Sequence, residues 1–166
     1  MCSGEERQAS HISKVNGSSM KDEIALKAWF RMLSNTALIE QELRTLLIQK
    51  FNVTLPQFDL MAALHHAGGR EKMSALSQRM KVSNGNITGV VDRLERDGLV
   101  VRESLAEDRR VKLISLTERG NETFSHMALV HKSWISGVLE EMSEDDLDIL
   151  HLQLFKMSKI LKERVR

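Results

Sequence analysis

Asparagine, threonine and arginine side chains that can read or grip a nucleic acid crowd one stretch of this chain, and a pair of arginines follows it closely. Asn84 and Asn86 each offer a donor and an acceptor, the pair that matches an adenine edge. Thr88 can touch a thymine methyl or a phosphate, and Arg93 can pair with phosphate or guanine. Ser83 immediately precedes them, and Asp108, Arg109 and Arg110 close the polar run 104–110. The competing reading is a solvated helix start followed by an exposed turn, whose surface ion pairs contribute under about 1 kcal/mol. No glycine-rich phosphate loop, no nucleophile with a base at motif spacing and no metal triad accompanies them, so catalysis finds little support.

These residues need elements to hold them. Residues 1–20 are polar and aperiodic and read as a disordered tail. Leu26, Phe30, Leu33 and Ala37, then Leu43, Leu46, Leu47 and Phe51, predict one long helix over about 21–50. Thr54-Leu-Pro-Gln57 has the pattern of a capping box and starts a second helix, with Phe58, Met61 and Leu64 buried and Gly68-Gly69 as its stop. Ser74 is expected to cap a short third helix, 75–80, and Ser83 a fourth, after a tight Lys81-Val82 turn. Along that fourth helix Ile87, Val90, Val91 and Leu94 point one way, and Gly98 ends it. Gly85 and Gly89 each cost it roughly 1 kcal/mol relative to alanine; either DNA or a neighbouring helix would have to approach closely there. Residues 99–103 and 111–116 predict a β-hairpin with a charged tip.

Thr117 caps a further long helix, to about Glu141, striped by Phe124, Met127, Val130, Trp134 and Val138. Ser143 starts the last one. Its Leu147, Leu150, Leu154, Met157 and Leu161 step by three and four, the a/d seam of an intersubunit bundle. The expected fold is therefore mainly α with a small β-hairpin wing: a winged helix-turn-helix (54–117) carried by long dimerisation helices (21–52 and 118–164).

Composition agrees with this plan. The 166 residues carry 24 Lys+Arg and 23 Asp+Glu, so no polyanion carrier is implied overall. The charge is uneven: residues 70–112 hold ten basic and seven acidic side chains, against seven and nine over 113–166. A DNA reader set in a larger scaffold would show this, and so would ordinary surface scatter. No apolar run approaches the roughly 18–20 residues that cross a bilayer, and a single cysteine, Cys2, fits a reducing cytoplasm.

Val82-Ser-Asn-Gly-Asn-Ile-Thr-Gly-Val-Val-Asp-Arg-Leu-Glu-Arg-Asp-Gly-Leu99, with Asp108-Arg-Arg110 and Leu116-Thr-Glu-Arg-Gly120, resembles the multiple-antibiotic-resistance regulator (MarR) family over about residues 21–164. All fixed positions of the family's wing signature, D-x-R and then L-T-x-x-G, are present. The resemblance implies a two-fold homodimer on a pseudo-palindromic double-stranded operator, one recognition helix in each of two successive major grooves. It implies that Arg110 enters the flanking minor groove with Asp108 orienting it through an ion pair, and that Arg109 binds phosphate.

It further implies a cytoplasmic repressor, without cofactor or membrane partner, released by a small aromatic or phenolic acid or an acyl-CoA-like molecule. The candidate lining is Trp29, Arg31, Asn35, His65 and His66; core or surface roles for each are the alternative. A redox-sensing relative would need a cysteine held in the fold, and Cys2 lies in the expected tail. The histidines are not spaced as metal ligands. A winged module that contacts protein instead of DNA is the remaining alternative, and the wing arginines and exposed asparagines speak against it.

Overall fold

The computed structural model describes residues 19–105, 108 and 110–164, in two units, one ending at Asn52 and one beginning at Val53. The expected tail up to residue 18, with Cys2, and the wing residue Arg109 lie outside the described residues, as does the side chain of Asn84.

The first unit is one helix, α1, Met20–Phe51, roughly 48 Å long at 1.5 Å per residue. The Ser19 hydroxyl accepts from the Lys21 N–H, and Asp22 reaches back to the Ser19 N–H at 3.1 Å. Asn52 ends the helix in the left-handed conformation, φ 54°, a geometry asparagine tolerates better than most. Leu43 and Leu47 are buried, whereas Ile24, Leu26, Trp29, Phe30, Leu33 and Leu38 are exposed.

The second unit runs α2 (Leu55–His66), β1 (Arg70–Lys72), α3 (Met73–Met80), α4 (Asn84–Arg96), β2 (Val100–Ser104), β3 (Lys112–Leu116), α5 (Glu118–Val138) and α6 (Glu144–Arg164). Gln57 Oε1 accepts from both the Thr54 N–H and the Thr54 hydroxyl, at 2.9 Å each, so the reach-back expected of the capping box is present. Gly68 and Gly69, φ +81° and +86°, turn the chain into β1.

That strand was not expected. Arg70–Lys72 pairs antiparallel with β3, and the sheet order is β1-β3-β2, with Arg102 opposite Ile114 across the hairpin. Three polar residues carry no alternation to read, so β1 exists through its partner and not through its own pattern. It also moves the start of α3. The chain enters the helix from Lys72, and Ser74 sits in the first turn rather than at the cap.

The core of this unit lies between α2, α3, α4, the sheet and the first half of α5. Leu60, Met61, Leu64, Leu76, Ile87, Val91, Leu94, Ile114 and Met127 are sealed from solvent. Each such side chain contributes about 1.5–3 kcal/mol of burial. Along α5 the stripe changes character: Phe124 and Met127 are buried, Val130 and Trp134 half-buried, and Val138 exposed. The helix ends at Val138, three residues before the expected Glu141.

The L-T-x-x-G segment has a local physical reason. The Thr117 hydroxyl accepts from the Gly120 N–H at 2.9 Å and donates to the Gly98 carbonyl at 2.8 Å, while the Thr117 N–H bonds Leu99 O. A Cβ at position 120 would lie 2.0 Å from that same carbonyl oxygen. The start of α5 is thus pressed onto the turn that joins α4 to β2, and glycine is required for the approach.

Candidate nucleic-acid interface

The turn between α3 and α4 is held from inside. Ser77, buried, donates its hydroxyl to Val82 O at 2.8 Å, and Lys81 takes φ 53° to make the bend. The Ser83 hydroxyl then accepts from the Asn86 N–H at 3.3 Å, the expected N-cap.

Helical phase sorts α4 into three sides. Ile87, Val91 and Leu94 face the core with no exposed surface. Gly85, Gly89 and Arg96 lie opposite, with Asn86 and Arg93 beside them, all exposed. Among the described residues nothing lies within 4 Å of a Cβ built at Gly85 or Gly89. Crowding by a neighbouring helix, one of the two reasons for these glycines, is therefore removed. They leave bare backbone at the centre of the outward face.

Thr88, Asp92 and Glu95 form the third side, turned toward the wing. There Thr88 lines an open cleft of about 290 Å³ with Met73, Ser74, Arg110, Val111 and Lys112. The Lys112 ammonium donates to Ser104 Oγ at 2.7 Å across the hairpin. At the tip, Asp108 Oδ1 accepts from the Arg110 backbone N–H at 2.9 Å, and the Val111 N–H bonds Asp108 O at 3.0 Å. Asp108 organises the wing through the main chain. Among the described residues the contact between Asp108 and Arg110 runs through the Arg110 amide, the group a two-residue turn brings nearest to the carboxylate.

The MarR family model matches residues 53–112, the stretch that holds α2 through the start of β3. The HTH-type transcriptional regulator YkoM of Bacillus subtilis is 33% identical over 106 residues, 64% of this chain and 67% of YkoM. The chain belongs to the MarR family. The HTH-type transcriptional repressor YetL, also of Bacillus subtilis, is 35% identical over 100 residues, 60% of this chain and 56% of YetL. The crystal structure of a MarR family transcriptional regulator from Silicibacter pomeroyi superposes with a TM-score of 0.73 at 27% identity, covering 87% of this chain and 99% of that one. The MarR assignment makes the chain a DNA-binding transcriptional regulator with a winged-helix fold, and not an enzyme.

The expected ligand-lining residues of this MarR-family chain are divided between its two units. Trp29, Arg31 and Asn35 are all exposed on α1. Because α1 is one uninterrupted helix, Trp29 and Arg31 are turned about 200° from each other, so one pocket against this helix takes one or the other. His65 and His66, in the last turn of α2, are exposed, with ring centroids 6.2 Å apart. His65 packs at 4.9 Å on Phe124. Phe124 lies 5.8 Å from Phe58, Phe58 5.6 Å from His131, and His131 stacks at 5.9 Å on Trp134. These rings form one run across α2 and α5. The i, i+3 spacing of His131 and Trp134 was the available signal.

Leu147, Leu150, Leu154, Met157 and Leu161 share one side of α6, and no residue of that helix is buried. Among the described residues no helix is long and apolar enough to cross a membrane.

Proposed function

We propose that the chain works as a homodimeric repressor, laying α4 in successive major grooves of a pseudo-palindromic operator and its wing in the flanking minor groove. The observation that carries this reading is the outward face of α4: two glycines with open space above them, flanked by Asn86 and Arg93, in the same unit as the exposed wing residue Arg110. Asn86 and Asn84 would read base edges, and Ser83, Thr88, Arg93 and Arg109 would bind phosphate or guanine. The row Leu147, Leu150, Leu154, Met157 and Leu161 would meet its copy in the partner. Repression is supported by the likeness to YetL. Release by a small aromatic acid is supported by the rings that cross α2 and α5, two of them the expected lining residue His65 and its neighbour Phe124.

A mobility-shift titration on the gene's own upstream region, over a salt series, tests the DNA part. The wild type should retard the fragment at low salt. Arg110→Ala should weaken it several-fold and flatten the salt slope by about one, with solution mass unchanged. No retardation at low salt would favour a protein-contact module instead. A thermal-shift screen of aromatic acids, with any hit carried into the same gel, tests release.

A further inference from the structure

Arg102 belongs to the wing but spends its side chain on the recognition helix. Its backbone is fixed in β2 opposite Ile114, which is fully buried. Its guanidinium leaves the sheet, hydrogen-bonds the Asp92 carboxylate, and lies 3.6 Å from Glu95 Oε2. Asp92 and Glu95 are three residues apart on the wing-facing side of α4, so one guanidinium nitrogen, Nη2, lies against both.

We propose that Arg102 is a positioning residue for DNA recognition: gripping both carboxylates, it sets the angle between α4 and the wing at which the two together fit one duplex. The proposal rests on the DNA-binding reading above. Between α4 and β2 the main chain offers just Asp97, Gly98 and Leu99, with Gly98 at φ +69°. Such a turn fixes connection but leaves torsional play, and a second tie further along β2 removes it.

Two observations speak against a merely stabilising contact. The Arg102 side chain is 25% exposed, yet its Nε is buried without a hydrogen-bond partner. That is a cost an apolar side chain of similar size would avoid. The acids are equally out of place. Asp92 and Glu95 sit on a helix that would approach phosphates, flanking Arg93 and Arg96, where electrostatics alone favours neutral side chains. Their presence is accounted for if the geometry they impose on Arg102 is worth more to recognition than the repulsion they add.

The test separates geometry from charge. The wild-type protein selects a duplex from a random-sequence pool, and affinities for that duplex and for a scrambled one of equal composition are measured across salt. The variants are the double Asp92→Asn/Glu95→Gln, Arg102→Gln and Arg102→Lys, with thermal melting and sedimentation as controls for fold and mass. Positioning predicts that the double variant loses about tenfold on the selected duplex while holding or gaining on the scrambled one, although it is less negative. Arg102→Lys, a single point charge, should fall between wild type and Arg102→Gln. If Arg102→Gln does not fold, the double variant, altered at two exposed side chains, still decides. A double variant that keeps or improves its affinity for the selected duplex overturns the proposal alone. A wild type that enriches no duplex overturns the DNA reading, and the proposal with it.

Discussion

The winged region and the last helix carry apolar residues at the same three-and-four spacing, yet the two treat them in opposite ways. Ile87, Val91 and Leu94 of α4 are fully sealed, whereas Leu150, Leu154 and Leu161 of α6 keep 40%, 42% and 50% of their surface. Residue type does not explain the difference. Around α4 the chain supplies a facing surface from α2, α3 and the sheet. Along α6, among the described residues, none is buried. A single exposed leucine is ordinary, but a continuous row of them is the kind of face that the proposed dimer would cover.

Placing a charge on that seam is the strongest way to break the comparison. Leu154→Glu should abolish the dimer, because each copy would bring an unpaired carboxylate to the centre of the row, at a cost of several kcal/mol per charge. Sedimentation should show monomer mass with the helical signal retained. Dimer mass would mean the seam faces something else.

The reciprocal test strikes the winged region, where packing is already complete. Gly120→Ala drives a Cβ to 2.0 Å from Leu99 O, a backbone atom held in turn by the Thr117 N–H. The chain cannot yield there without moving the α4–β2 turn. We expect a loss of about 3 kcal/mol, at the upper end for overpacking, read as a lowered denaturant midpoint. Thr117→Ala, which removes the cap and its bond to Gly98 O, should lose less, about 1–2 kcal/mol. If the two losses came out reversed, the close approach of Gly120 would not be what welds α5 to the turn.

Much of this was legible because the relevant signals are local. Thr54 with Gln57, Ser83 and Thr117 each declare a helix start within three residues, and Gly98 declares an end. Ile87, Val91 and Leu94 declare the buried face of α4 by spacing alone. What stayed hidden depends on partners far along the chain. Residues 70–72 become a strand because β3 lies beside them. Arg102 counted as one more cation until the fold brought Asp92 and Glu95 to it. Ser77 of α3, which holds the α3–α4 turn, gave no signal either, since its bond goes to a backbone carbonyl. Asp108 and Arg110 were singled out by the family resemblance, which implies an ion pair between them; the bond from the Asp108 carboxylate to the Arg110 amide depends on the local turn and carries no such signal.

The smallest effect makes the sharpest test, because it should change sign between two measurements. Gly89 lies within α4 on the outward face, with open space where a methyl group would go. Gly89→Ala therefore removes backbone entropy from the unfolded chain without meeting a neighbour, and the free protein should gain about 1 kcal/mol, seen as a small rise in melting temperature. On DNA the same methyl would stand between the helix backbone and the groove, so affinity for the duplex should fall even as the protein becomes more stable. Leu60→Ala inside the winged core has no such split: it should lose about 2–5 kcal/mol of stability, and any loss of DNA binding should follow the folded fraction. A Gly89→Ala protein that is more stable and binds the duplex as well as wild type would show that the bare face of α4 is not the one that meets DNA.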